Sequence, residues 1–158
     1  MKPPTPTTHV LWCWTKTTPD APARARTVLR CALEQLGCQG DVLDDSVLAA
    51  SELVGNACEH AVGPYELHLG WSRAGLVCEV HDHDARIPER PAAPATPLFE
   101  PNPEDRGGGL DALRIVLGER GRGLHIVDQL TSGAWGFRLS PSSTEQLPVK
   151  IAWMVIRP

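Results

Sequence analysis

The amino-acid sequence predicts an α+β fold, a two-layer sandwich in which a mixed, mainly antiparallel sheet carries helices on one face. Two patterns lead to this prediction: strand-like segments occur in adjacent pairs, and helical segments cluster. The third observation is size, since 158 residues of ordinary apolar and charged content can bury one hydrophobic core. We expect one domain over residues 10–158, preceded by a disordered, proline- and threonine-rich tail over residues 1–9.

Two helices are predicted in the first half of the chain. The first covers about residues 21–36 and follows residues 17–20, whose polar side chains are suited to capping it. The second begins at about Asp41, a further cap candidate, and continues to about Ala61, where Gly63-Pro64 breaks the chain.

The second helix carries three polar side chains in register. Glu52, Asn56 and His60 stand at i, i+4 and i+8, so they share one face. The apolar stripe of this helix consists of Val47, Ala50, Val54, Ala57 and Ala61. The pattern is typical of a helix that packs on a core and presents functional groups elsewhere. A solvated helix face has the same spacing, so this helix alone leaves both interpretations open.

The predicted strands fall into pairs. A short apolar run over residues 10–14 suits a first strand. Residues 65–71 and 76–80 alternate in polarity around a turn, which predicts a hairpin. Residues 134–139 and 149–156 are the last two strand candidates, and a polar loop separates them.

Between the hairpin and the last strands lies a long segment rich in proline and glycine. Residues 86–105 lack periodicity and predict a loop of the length that often forms a functional lid. Gly107-Gly108-Gly109 is hinge-like, and residues 110–117 could form a short helix. Gly121-Arg122-Gly123-Leu124 then opens a helical pattern. Such a glycine turn is suited to anions, because backbone N–H groups and the helix dipole both favour negative charge.

Composition excludes several classes of function. A formal net charge of −4 without a strong basic cluster argues against nucleic acid as a direct partner. The sequence contains neither a signal-peptide pattern nor an apolar run long enough for a membrane span. Five cysteines without a CxxC pair are most simply free thiols in a reducing cytoplasm.

Three motifs in order resemble a known family. They are the segment 51–61 (SELVGNACEHA), Asp82 at the end of a predicted strand, and the segment 121–127 (GRGLHIV). They resemble the N box, the aspartate of the first glycine box and the second glycine box of the Bergerat-type ATP-binding domain. Histidine kinases, Hsp90-type ATPases and anti-sigma-factor serine kinases share this domain. The chain is most similar to the small single-domain actinobacterial regulators, over about residues 10–157.

The resemblance implies a role for each matching residue. Asn56 would coordinate Mg2+ through its side-chain oxygen, which is a ligand type that this hard cation accepts. Glu52, one turn earlier, would act as the catalytic proton acceptor for a serine hydroxyl or a water. Asp82 would accept a hydrogen bond from the adenine amino group.

The phosphate end of the site is implied by the second glycine box. Gly121, Gly123 and Leu124 would offer backbone N–H groups to the phosphates. Arg122, in the same motif, is a candidate to reach the phosphates with its side chain, and a solvated arginine is the alternative. Residues 86–120 would form the lid over the nucleotide.

The resemblance further implies ATP and Mg2+ as cofactors and a cytoplasmic regulator of transcription that acts through a protein. The partner would be a sigma factor, or an anti-anti-sigma protein phosphorylated on serine. A homodimer is compatible with this resemblance.

Four features depart from the family's pattern. Asp84 stands where the first glycine box has glycine, and Glu59 where many members have a basic residue. Ile151 is expected in the place of a threonine that supports the adenine-binding aspartate. The lid is longer than usual by about residues 106–119. These departures predict a modest affinity for ATP.

Two other functions remain open at this level. One is a non-catalytic interaction module in which the nucleotide is structural or absent. The other is a metal-dependent hydrolase built from His81-Asp82-His83-Asp84 together with Glu59-His60. This second alternative leaves the two glycine-box elements without a role.

Overall fold

The computed structural model describes residues 7–88, 123–140 and 148–158. Numbered in chain order within these ranges, the strands are β1 (Thr7–Trp14), β2 (Tyr65–Ser72), β3 (Gly75–Asp82), β4 (Trp135–Ser140) and β5 (Val149–Ile156). The helices are α1 (Ala21–Gln35), α2 (Gly40–His60) and α3 (Gly123–Thr131). The predicted hinge and the short helix at residues 110–117 lie outside the described residues.

The described strands form one open sheet in the order β1-β2-β3-β5-β4. Every pairing between them is antiparallel. The α+β class with a mainly antiparallel sheet is therefore confirmed. The last strand, β5, lies between β3 and β4, so it is an interior strand of the sheet.

The first strand begins earlier than the apolar run predicts. Thr7, Thr8 and His9 already pair with β2, so these residues belong to the sheet rather than to the predicted tail. Gly70 permits the pairing, because a side chain there would collide with the backbone of Thr7. Polar residues thus extend the strand at a place where the partner has no side chain.

One face of the sheet packs against the three described helices and forms the main core. Buried residues come from both layers, and the largest that are completely buried are Leu29, Leu33, Leu53, Val54, Tyr65, Leu67, Leu76, Val80, Trp135 and Met154. α2 lies against both other helices and against β3 and β5. Side chains that α2 presents beside this core are therefore held in fixed positions.

The opposite face of the sheet has a second, smaller apolar cluster. It consists of Val77, Ala134, Ile151, Trp153 and Val155. Because successive side chains in a strand alternate between faces, β5 contributes to both clusters and is buried on both sides.

The helix starts differ from the predicted caps. Asp20 at the start of α1 has left-handed backbone angles and makes no side-chain cap hydrogen bond. α2 begins at Gly40 after Gln39, and Asp41 lies in its first turn, where its charge suits the helix dipole. Among the described helices, none has the length and apolar content needed to cross a bilayer.

Candidate nucleotide-binding site

The polar stripe of α2 is partly sheltered. Ser51 is buried, and the side chains of Glu52 and Asn56 are half-buried. His60 is exposed and lies beside the exposed Glu59, with 3.8 Å between its Nε2 and a carboxylate oxygen. Glu52 and Asn56 are thus less exposed than His60 at the end of the stripe. The interpretation of this stripe as a fully solvated helix face therefore does not hold for these two residues.

Glu52 lies against the first residue of α3. A Cβ atom built on Gly123 would stand 2.9 Å from Oε2 of Glu52, which is closer than real Cβ contacts. The glycine therefore allows the N-terminus of α3 to approach the carboxylate. The described part of α3 begins at Gly123, and the glycine-turn pattern of the sequence predicts that Gly123 and Leu124 present backbone N–H groups there. Gly121 and Arg122 of the same motif lie outside the described residues.

Asp82 is the last residue of β3 and is only 2% exposed. Its Oδ1 accepts a hydrogen bond of 2.9 Å from the backbone N–H of Asp84. Its Oδ2 lies 3.5 Å from Nζ of Lys150, which is the residue directly opposite on β5. Burial raises the pKa of Asp82, while the Asp84 amide and the Lys150 ammonium oppose that shift.

Lys150 is a site residue that the sequence analysis missed. It is 3% exposed, and its Nζ also donates a hydrogen bond of 3.1 Å to the backbone oxygen of Arg86. Its signal in the sequence is a single charge inside an otherwise apolar strand. A lysine rarely occupies such a position unless it is paired, so this charge predicts a buried acidic partner.

The expectation that Ile151 lies beside Asp82, in the place of the supporting threonine, is wrong. Ile151 pairs with His81 and belongs to the second apolar cluster, on the face of the sheet that points away from the helices. Lys150 and Ala152 are the neighbouring β5 residues on the face that carries Asp82. The ammonium of Lys150, rather than an isoleucine side chain, therefore stands beside the aspartate.

The negative charge of Asp84, which departs from the family's pattern, is paired with Arg86. Arg86 binds its carboxylate through two nitrogens, with distances of 3.0 Å from Nε to Oδ1 and 2.7 Å from a terminal guanidinium nitrogen to Oδ2. These hydrogen bonds hold the pKa of Asp84 well below its usual range. The charge of Asp84 therefore meets a cation close to the predicted base pocket.

The two ends of the predicted site are connected by α2. At one end, the N–H of His83, next to Asp82, donates to the backbone oxygen of Val62, just after the helix. At the other end, Glu52 meets α3. The nine steps from Glu52 to Ala61 rise by about 14 Å along the helix axis. This length suits a nucleoside triphosphate with its base near Asp82 and its phosphates near Gly123.

The residues of the predicted metal-hydrolase cluster do not come together. Asp82 pairs with Lys150 on the helix-bearing face, and Asp84 pairs with Arg86. His81 binds Glu79 on the opposite face. In the described ranges, the one convergent group of potential metal ligands contains His81 but no other member of the predicted cluster.

Two cavities among the described residues lie away from the predicted site. One, of about 220 Å³, is formed by the first half of α2, the end of α3 and the end of β5. The other, of about 550 Å³, lies between β1, α1 and β2. Neither is lined by Glu52, Asn56, Asp82 or Gly123, so neither defines the predicted nucleotide site.

The residues present fit a magnesium nucleotide. An ionised carboxylate has about four lone-pair positions, so Asp82 can accept an adenine amino group in addition to its present partners. The missing Cβ of Gly123 lets the backbone of α3 come close to the Glu52 carboxylate, where the sequence predicts the phosphates. Asn56 supplies an uncharged oxygen of the type that Mg2+ takes together with water and phosphate.

The fold and the arrangement along α2 define an ATP-binding domain of the α+β class. The family model described as the histidine kinase-like ATPase domain matches residues 15–135, and the chain belongs to this family. The family implies ATP binding that generally depends on magnesium. β5, with Lys150, lies beyond the matched residues. A search of curated proteins found no match.

Proposed function

We propose that this ATP-binding regulator acts on a protein partner as an ATP-dependent serine kinase similar to those that control sigma factors. The observation that carries the proposal is the contact between Glu52 and Gly123. It brings a potential proton acceptor to a helix N-terminus suited to phosphate, while Asp82 lies near the other end of α2.

Each residue has a defined task in binding. Asp82 accepts the adenine amino group, and Lys150 keeps that carboxylate ionised and in place. Asn56 holds Mg2+ through its side-chain oxygen. Gly123 and Leu124 donate backbone N–H groups to phosphate oxygens, and Gly121 and Arg122 extend this set.

Phosphoryl transfer requires mainly positioning and charge neutralisation. Glu52 stands one helical turn before Asn56, so a proton acceptor and a metal ligand serve the same phosphate. Glu52 accepts the proton of a serine hydroxyl as that oxygen bonds to the γ-phosphorus of ATP and ADP leaves with the bridging oxygen. The serine belongs to a small anti-anti-sigma protein, and the sigma factor is the bound target.

Labelled ATP tests this proposal with candidate anti-anti-sigma proteins as substrates. The parent protein should label a serine of its partner, and Glu52→Ala should abolish labelling while binding Mg-ATP about as well as the parent. Glu34→Ala is the matched control, since Glu34 is an exposed glutamate on α1 that has no role in the predicted site. Unchanged labelling by Glu52→Ala would remove the catalytic role of Glu52.

A second candidate function is a non-catalytic interaction module. The observation in its favour is that both oxygens of Asp82 already have partners within the chain, the amide of Asp84 and the ammonium of Lys150. This aspartate therefore needs no nucleotide to be satisfied. ATP binding without labelling of any partner would favour the module.

A further inference from the structure

The face of the sheet opposite the helices carries a compact polar cluster. Glu66 and His68 come from β2, and Glu79 and His81 from the neighbouring β3, where Glu66 is directly opposite His81. The imidazoles of His68 and His81 are stacked, with ring centroids 3.8 Å apart and planes 4° from parallel. Two histidines and a carboxylate thus share one small region.

One nitrogen of each imidazole is already held by a neighbouring oxygen. Nδ1 of His68 lies 3.0 Å from Oγ1 of Thr8. Nε2 of His81 lies 2.9 Å from Oε1 of Glu79. Nε2 of His68 and Nδ1 of His81 are the nitrogens that remain for a ligand.

The remaining nitrogen of His68 is buried without a hydrogen-bond partner in the part of the chain that the structure describes. Its closest ion-pair partner there is Oε1 of Glu66, at 3.6 Å, which is too long for a hydrogen bond. Buried polar atoms in native proteins almost always have a partner. The atom therefore points to a ligand that binds between the two side chains.

We propose that Glu66, His68 and His81 bind a divalent transition-metal ion, for which zinc is the best match. One ligand atom from each residue lies within 4.8 Å of the others. In a tetrahedral zinc site with Zn–N bonds of about 2.0–2.1 Å, ligand atoms are about 3.3 Å apart. The side chains must rotate so that the free lone pairs of the two imidazoles, which now lie in nearly parallel planes, meet at one ion, and His68 then gains the partner it lacks.

The surrounding residues have the arrangement of an outer shell. Metal-bound histidines usually use their second nitrogen to bind a carboxylate or another fixed oxygen. Glu79 does so for His81, and Arg138 holds the second oxygen of Glu79 at 2.7 Å. Thr8 and Glu79 therefore hold one nitrogen of each imidazole and leave the other nitrogen for the ion.

The ligand set distinguishes this site from the magnesium position at Asn56. Imidazole nitrogens favour zinc and similar transition metals, whereas Mg2+ prefers oxygen ligands. The side chain of Glu66 is 42% exposed, which gives an ion access from solvent. Since Asp82 lies on the other face of the sheet from His81, the two sites are separate.

Titration of the metal-free full chain with Zn2+, without nucleotide, tests the proposal. Calorimetry should show one high-affinity ion per chain, and Co2+ should give the visible absorption of a tetrahedral site. His68→Gln and Glu66→Gln should each weaken binding at least about tenfold. Glu79→Gln, which acts through His81, should weaken it about 10- to 100-fold.

Two variants control for binding elsewhere. His9→Gln removes an exposed histidine and Cys13→Ser an exposed thiol, and both should leave the affinity unchanged. A large excess of Mg2+ should not displace the ion. Circular dichroism should show that the ligand variants are folded. Unchanged zinc affinity in folded His68→Gln and Glu66→Gln, or equal losses in the controls, overturns the proposal.

Discussion

Lys150 lies directly opposite Asp82 in the pairing of β5 with β3, and its ammonium is 3.5 Å from the aspartate carboxylate. Both side chains are almost completely buried. Removal of one member of such a pair leaves an uncompensated charge in the interior and is strongly destabilising. The base end of the nucleotide site is thus organised by a charge pair before any ligand binds.

We expect ATP binding to weaken as the pH falls toward the pKa of Asp82. Burial raises that pKa, so the carboxylate takes up a proton at a higher pH than an ordinary aspartate and then accepts the adenine amino group less well. Calorimetric titration of Mg-ATP at decreasing pH measures the effect. Lys150→Met should move the loss of ATP binding to higher pH, because the Lys150 ammonium opposes the rise in the pKa of Asp82.

Lys150→Arg is the matched control for this experiment, since it keeps the positive charge. Its pH profile should stay close to that of the parent. Far-UV circular dichroism at each pH separates loss of binding from acid unfolding. A profile that Lys150→Met leaves unchanged would show that the lysine does not influence the ionisation of Asp82.

ATP should bind more tightly than GTP. Asp82 accepts a hydrogen bond from the adenine amino group, whereas guanine presents a carbonyl at that position, and an unpaired buried acceptor costs about 1–3 kcal/mol. Lys150 reduces this discrimination, because its ammonium can donate to the guanine carbonyl. Lys150→Met should therefore increase the preference for ATP in competition titrations. Equal affinities of ATP and GTP in Lys150→Met would show that Asp82 does not read the base.

Gly123→Ala should impair phosphoryl transfer more than it impairs stability. The added Cβ would meet the flexible end of Glu52, which can move away, and alanine favours a helix by about 1 kcal/mol over glycine. Thermal unfolding and partner phosphorylation measure the two effects. In the Glu52→Ala background, where transfer is already lost, the same change should not lower the unfolding midpoint further, because the added Cβ no longer meets a carboxylate. A large loss of stability would contradict this account of the contact.

The cysteines should differ sharply in reactivity. Cys78 is completely buried, which raises the pKa of its thiol to about 12, so it has almost no thiolate at neutral pH. Cys13 and Cys31 are exposed. Alkylation of the native protein followed by mass spectrometry should modify these two and spare Cys78. Rapid modification of Cys78 would contradict the packing of the sheet on the helices.

The sequence predicted the elements well where one face is apolar. The periodicity of α2 placed the helix within one residue of its observed bounds, and β5 was predicted with its observed bounds. The early start of β1 was missed because Thr7 and Thr8 are polar. Their pairing depends on Gly70, which lies far away in the sequence.

The error at Ile151 has a physical cause. β5 is buried on both faces, so its sequence does not alternate in polarity and does not show which residues face the helices. The pair of Asp82 with Lys150 depends on the register of two strands, which composition does not determine. The contact of Glu52 with Gly123 likewise arises from the packing of α3 on α2.

Thermal unfolding with and without Mg-ATP tests the central claim most directly. A ligand that binds only the folded state stabilises it, by about 2.7 kcal/mol at a concentration of 100 times Kd. We predict a higher unfolding midpoint with Mg-ATP for the parent. Each variant is compared with its own nucleotide-free midpoint, and Asp82→Asn and Asn56→Ala should lose the increase. No increase in the parent at millimolar Mg-ATP would contradict nucleotide binding at this site.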